Sequence, residues 1–216
     1  LALERLLTQA GQFADLIALY EGAAEREKDA EAKVARYFKI GRIQEEALRD
    51  ARAAVASYER VRGFVSPQLE ALHAVARAAE RGGLFPQLVA ALDQEASTSK
   101  EPARRVALLH RSAEVLAEYT GDTDGAVGRW RKLLELDAKY EPALLGLGAL
   151  LRRTGRWEEW LGVEKRRLQT LPAGAARADV SYAMGVVLAE QLGRRMDAIQ
   201  AHREAISANP EHVLGQ

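Results

Sequence analysis

Four histidines, His73, His110, His202 and His212, are the residues of this 216-residue chain whose type suits metal or proton-transfer chemistry. None sits in an HExxH-like pattern, and the absence of cysteine removes the thiolates that complete many zinc sites. Solvated or packing histidines are expected, with no metal and no cofactor. Gly146-Leu147-Gly148 supplies two glycines of a dinucleotide loop, but Leu151 stands where the third belongs, and no strand pattern precedes it. No phosphate-binding GxxxxGK[ST] and no GxSxG elbow occurs, and Ser66, Ser112 and Ser181 belong to no nucleophile pattern. Catalysis by this segment is not expected.

Two other sets of residues suit recognition. Arg77, Arg81, Arg152 and Arg153 offer guanidinium groups that pair bidentately with carboxylates. Phe38, His110 and Tyr182 place a ring at intervals of 72 residues. Acidic and basic residues also alternate, as in Glu25-Arg26-Glu27-Lys28, in the manner of solvated helix faces with i, i+4 pairs.

The elements that must carry these residues are helical. Hydrophobic residues make up 48% of the chain and aromatic ones only 6%, with strong helix formers such as Ala, Leu, Glu and Arg in the majority. Thirty-one basic residues balance 31 acidic ones, so the chain as a whole has no basic field to displace counterions from nucleic acid. No apolar run reaches the roughly 18 residues of a membrane span, so no membrane insertion is expected. Leu1 in place of an initiator Met points to a segment of a longer chain.

An internal period of 72 organises the sequence. Gly11-Gln12-Phe13, Gly83-Leu84-Phe85 and Gly155-Arg156-Trp157 repeat at that interval, each with a large apolar residue three positions on: Leu16, Leu88, Trp160. Ala54-Val55, Ala126-Val127 and Ala198-Ile199 repeat likewise, followed by a ring at Tyr58, Trp130 or His202. Gly121 and Gly193 align as well. The chain thus divides without gaps into three units, 1–72, 73–144 and 145–216, of one repeat array. Within a unit the pattern is helix, Gly turn, helix, twice over. Ala143, Leu144, Leu147, Leu150 and Leu151 form one helical face, and Gly155 supplies the left-handed C-cap. Pro67, Pro86 and Pro142 fit first turns of helices, where a missing N–H costs nothing. The first unit has Arg49 where the others have Gly121 and Gly193. Residues 31–62 would make one long helix if that turn were lost, but Ala54, Val55, Tyr58 and Val61 keep the register, which predicts a turn near Arg49-Asp50. Trp130 and Trp157 read as wedges between helices, with a loss of ~3–5 kcal/mol on truncation to Ala.

The last hairpin resembles a tetratricopeptide repeat, with Gly193 at the turn, Ala198 and Ala205 at the small positions, and Asn209-Pro210 closing it. His202 replaces the usual aromatic. The hairpin with Gly121, Ala126 and Trp130 is similar, though Asp137-Ala138 lacks the closing proline. The odd hairpins carry Leu16, Leu88 and Trp160 at the small-residue position, which predicts wider helix spacing there. Long arrays of bacterial proteins show a comparable alternation.

The resemblance implies an all-α fold, an α-solenoid of antiparallel hairpins with about twelve helices in a right-handed superhelix. It also implies a groove lined by first helices that holds a protein or extended peptide. Arg77, Arg81, His110, Arg152, Arg153 and Tyr182 are then the candidate partner-binding residues, suited to an extended or acidic peptide. The other reading is that the rings pack between hairpins and the arginines are ordinary surface. Chaperone-carboxylate recognition in this family uses asparagines on first helices, and the one asparagine here is Asn209, in a closing turn. An interaction scaffold is the leading expectation. A regulatory or substrate-recruiting arm of a larger enzyme is the second. RNA binding along a stripe of Arg152, Arg153, Arg156, Lys165, Arg166 and Arg167 is the third, against the neutral charge. No small-molecule substrate is evident.

Overall fold

The computed structural model describes residues 2–63 and 69–211. Pro67, Ser66 and His212 lie outside the described residues. Periodic apolar faces and good helix formers produce twelve α-helices among the described residues. They are α1 (Ala2–Gln9), α2 (Phe13–Arg26), α3 (Ala30–Arg42), α4 (Ala51–Val61), α5 (Leu69–Arg81) and α6 (Phe85–Thr98). Then follow α7 (Pro102–Val115), α8 (Thr123–Leu136), α9 (Glu141–Arg153), α10 (Trp157–Leu168), α11 (Ala175–Glu190) and α12 (Arg195–Ala208). The fold is all-α, of antiparallel hairpins, as the sequence predicts. Pro86 and Pro142 occupy the first turns of α6 and α9.

Two kinds of turn join the helices, and each has a backbone cause. Gly11, Gly83 and Gly155 take φ values of 67°, 65° and 70°, a left-handed conformation that costs a glycine little. The next residue's N–H returns to a carbonyl five positions back: Gln12 to Leu7, Leu84 to Ala79, Arg156 to Leu151, at 2.8–2.9 Å. The second kind follows a widened π-helical turn at Ile43–Ala47 and Leu116–Thr120. There Arg49 (φ 54°) takes the conformation of Gly121 (72°) and Gly193 (67°). The helix after it is capped by Asp50, whose side chain accepts from Ala53 N at 2.9 Å. The turn near Arg49-Asp50 is therefore kept without its glycine.

Leu1–Thr120 and Gly121–Gln216 form two compact units. In the first, α1–α7 pack neighbour on neighbour around Ile40, Tyr58, Val61, Val75 and Leu88, each nearly inaccessible to solvent. In the second, α8–α12 enclose Leu133, Leu144, Leu147 and Leu151. A lone hairpin cannot bury its apolar face, so every pair depends on a neighbour.

Glycines let rings approach helix backbones closely. A Cβ at Gly41 would overlap the Tyr58 ring, one at Gly185 would stand 2.6 Å from the His202 ring, and one at Gly146 would stand 2.7 Å from Trp130. Gly146 and Gly148 are thus helix-packing glycines of α9. Trp130 is the wedge the sequence predicts, 3% exposed. Trp157 is not: it is only half-buried at the start of α10, and Trp160, 3% exposed, fills the interior one turn later. The first helical residue faces the turn as much as the core, so its register gives Trp160 the buried place.

Candidate binding groove

Arg77 and Arg81 of α5 turn toward Glu45, a carboxylate in the π-helical turn after α3. Arg77 donates from Nε to Oε1 at 3.0 Å and from Nη2 to Oε2 at 2.9 Å, and Arg81 donates from Nη1 to Oε1 at 3.0 Å. Tyr58 adds its hydroxyl to Oε2 at 3.0 Å. The Arg77 hydrogen bonds outweigh burial and hold the Glu45 carboxyl below its ordinary range, while burial pushes the Tyr58 phenol up to about 12. Both arginines remain partly exposed, but their charge is compensated from within.

The ring series separates in the same way. Phe38 lies against Tyr58 with centroids 5.8 Å apart, and Tyr182 against His202 at 5.1 Å, each across its own hairpin. His110 pairs with Glu114 one turn on, Nε2 to Oε1 at 3.1 Å. Tyr182 still offers 38% of its surface to solvent.

Arg152 and Arg153 meet a different environment. They stand at the end of α9 beside a groove of about 760 Å³ framed by α9, α10 and α11. Leu145, Gly148 and Ala149 line it from α9, Trp157, Trp160, Glu164 and Arg167 from α10, and Ala176, Asp179, Val180 and Ala183 from α11. Glu164 is 4% exposed and accepts from Arg167 Nη1 at 2.7 Å. Burial raises its carboxyl above the ordinary range, against the opposing charges of Arg167 and Arg152.

The 72-residue register explains why this groove is open. In the first compact unit, one repeat earlier, Arg111 of α7 pairs with Glu80 of α5, and Arg104 of α7 donates to Glu95 at 2.8 Å, with His73 of α5 alongside, its Nε2 3.2 Å from Glu95 Oε1. These contacts span the equivalent space between α5, α6 and α7. The positions of Arg104 and Arg111 are taken in α11 by Ala176 and Ala183, and that of Glu80 by Arg152. Two alanines cannot reach across, so the space stays unfilled. Between α1 and α3 the corresponding crossing is again made, Lys39 donating to Glu4 at 3.2 Å with the Tyr20 hydroxyl on the same carboxylate oxygen, and it leaves a smaller groove there of about 440 Å³.

The basic stripe of the RNA reading is interrupted. Arg156 is held by Glu159 and by Asp124, the latter at 2.7 Å, and Arg167 by Glu164. Among the described residues there is no group of three or more His, Asp or Glu side chains placed to hold a metal ion. No helix among them is long and apolar enough to cross a membrane. Sequence reasoning did not find Glu45, Glu95 or Glu164, each under 10% exposed. Their one legible signal is an acidic residue falling on an otherwise apolar helical face.

Hairpins of this length, with glycine turns and small residues between helices, make the chain an all-α array of helical hairpins, similar in fold to tetratricopeptide repeats. No family model and no curated protein matches it. Among solved structures, it is similar to YrrB, described as a TPR protein with an unusual peptide-binding site, at 19% identity and a TM-score of 0.47 over 90% of this chain and 94% of that one. It is similar to MamA AMB-1 at 20% identity and 0.48 over 82% and 92%, and to MamA 41-end from Desulfovibrio magneticus RS-1 at 23% and 0.44 over 68% and 78%.

Proposed function

We propose that this chain is a protein-interaction scaffold and that a peptide segment of its partner lies in the groove between α9, α10 and α11. The observation that carries the reading is the replacement of the Arg104 and Arg111 positions by Ala176 and Ala183, beside the half-buried ring of Trp157. A concave surface with apolar walls and a few convergent charged groups is the usual form of a binding site. Backbone and side chains already in place around it lower the cost of ordering on binding.

The test is to restore the closed pattern. The double variant Arg152→Glu, Ala183→Arg recreates the Glu80–Arg111 pair in the second unit and should abolish enrichment from a displayed random nonapeptide library while leaving the thermal midpoint unchanged. Unchanged enrichment of the same peptides would remove the groove from the binding surface.

A further inference from the structure

Two properties of the groove narrow its occupant. The first is charge. Its lining holds three guanidinium groups, Arg152, Arg153 and Arg167, against two carboxylates, Glu164 and Asp179. The lining therefore carries a positive excess by count, and burial of Glu164 raises its carboxyl pKa in the same direction. Arg167 is occupied by Glu164, but the Arg152 guanidinium is exposed at the rim and makes no hydrogen bond or salt bridge among the described residues, feeling Glu164 only as a nearby charge. The second is shape. Leu145 is 45% exposed on one wall and Trp157 half-buried on another, with Ala149, Ala176 and Ala183 leaving space between them.

The first unit supplies an internal template for how such space is filled. A glutamate from α5 and an arginine from α7 meet across it, in a charge-assisted contact between two helices. In the second unit the arginine has moved to the α9 side, as Arg152, and the opposite side is Ala183. A carboxylate is the missing half of that pair.

We propose that the groove selects a partner segment bearing an Asp or Glu side chain close to a bulky apolar one, the carboxylate paired with Arg152 and the apolar group seated between Leu145 and Trp157. The inference rests on the reading of the groove as the binding surface. Arg152 supplies two parallel N–H donors, and the apolar side chain displaces water from the exposed faces of Leu145 and Trp157. Glu164 acts on Arg152 only as a nearby charge, its one side-chain hydrogen bond coming from Arg167 on its own helix, so the Arg152 guanidinium keeps its donors for a partner carboxylate.

Selection of a random nonapeptide library on the chain, repeated with Arg152→Glu as bait, tests this. The parent should enrich peptides with Asp or Glu within about three residues of Trp, Phe or Leu, the span of one helical turn or a short extended stretch. The Arg152→Glu bait should exchange that acidic preference for Lys or Arg. In fluorescence polarisation, a Glu→Gln change in a selected peptide should weaken binding at least about tenfold to the parent, the size of a charge-assisted hydrogen bond, and not at all to Arg152→Gln. Enriched peptides without an acidic residue, or an acidic preference that survives Arg152→Glu, would overturn the proposal and leave the scaffold reading standing. No enrichment of any peptide would overturn both.

Discussion

Gly148 of α9 lies against the carboxylate of Glu164 on α10, so close that a Cβ at position 148 would stand 2.9 Å from Glu164 Oε1. From the other side Arg167 Nη1 donates to Oε2 at 2.7 Å. The glycine makes room for a buried carboxylate, and the arginine compensates only part of what burial costs it. Glu164 therefore ionises with difficulty in the folded chain.

That gives a prediction with a definite sign. A carboxyl whose folded pKa is raised contributes stability that is complete below its unfolded value, about 4.3, and is lost as pH rises through the folded value. Glu164→Gln, which cannot ionise, should raise the thermal midpoint at pH 7.5, and the gain should shrink toward zero at pH 4. A gain independent of pH would mean that ionisation is not its source.

Glu45 has the opposite sign, because the hydrogen bonds from Arg77 outweigh its burial. Its stabilising contribution is present above the unfolded pKa and is lost as pH falls through the depressed folded value. Arg77→Met should cost about 1.5–2 kcal/mol in urea unfolding at pH 7, the lower part of the range for a bond to a charged group since Arg77 is half exposed. The same comparison at pH 3 should show a smaller cost.

Arg49 holds a left-handed backbone at φ 54° where Gly121 and Gly193 do so without a side chain. Arg49→Gly should stabilise the first unit by roughly 0.5–1 kcal/mol, the left-handed penalty less the added entropy of glycine in the unfolded chain. Equilibrium unfolding measures it, and a loss of stability would show that the Arg49 side chain contributes more than its backbone costs.

The tryptophans should separate cleanly. Trp130→Ala should cost ~3–5 kcal/mol, because Trp130 is buried against Gly146. Trp157→Ala should cost less, roughly 2 kcal/mol, since part of its ring already faces solvent. It should instead weaken the peptides selected on the parent chain. Equal losses of stability for the two variants would place Trp157 in the core.

Much of the local architecture was legible in the residues themselves. Apolar spacing of three and four marked the helices, and the glycines of the 72-residue period marked five of the six turns between the hairpin helices. Even the sixth, at Arg49, was readable from the register of Ala54, Val55 and Tyr58. These are local properties, set by backbone sterics and by which face of a helix is apolar. What only the tertiary structure decided is which charges meet. Arg77 and Arg152 look alike in the sequence, yet one is matched by Glu45, 32 positions away, and the other faces Ala183. Ion pairing depends on contacts between helices distant along the chain, and their geometry is set by packing rather than by spacing. For the same reason the residues show that Glu45, Glu95 and Glu164 interrupt apolar faces, but not that they are buried. An acidic residue on a helix reads as solvated until a neighbouring helix closes over it and brings an arginine.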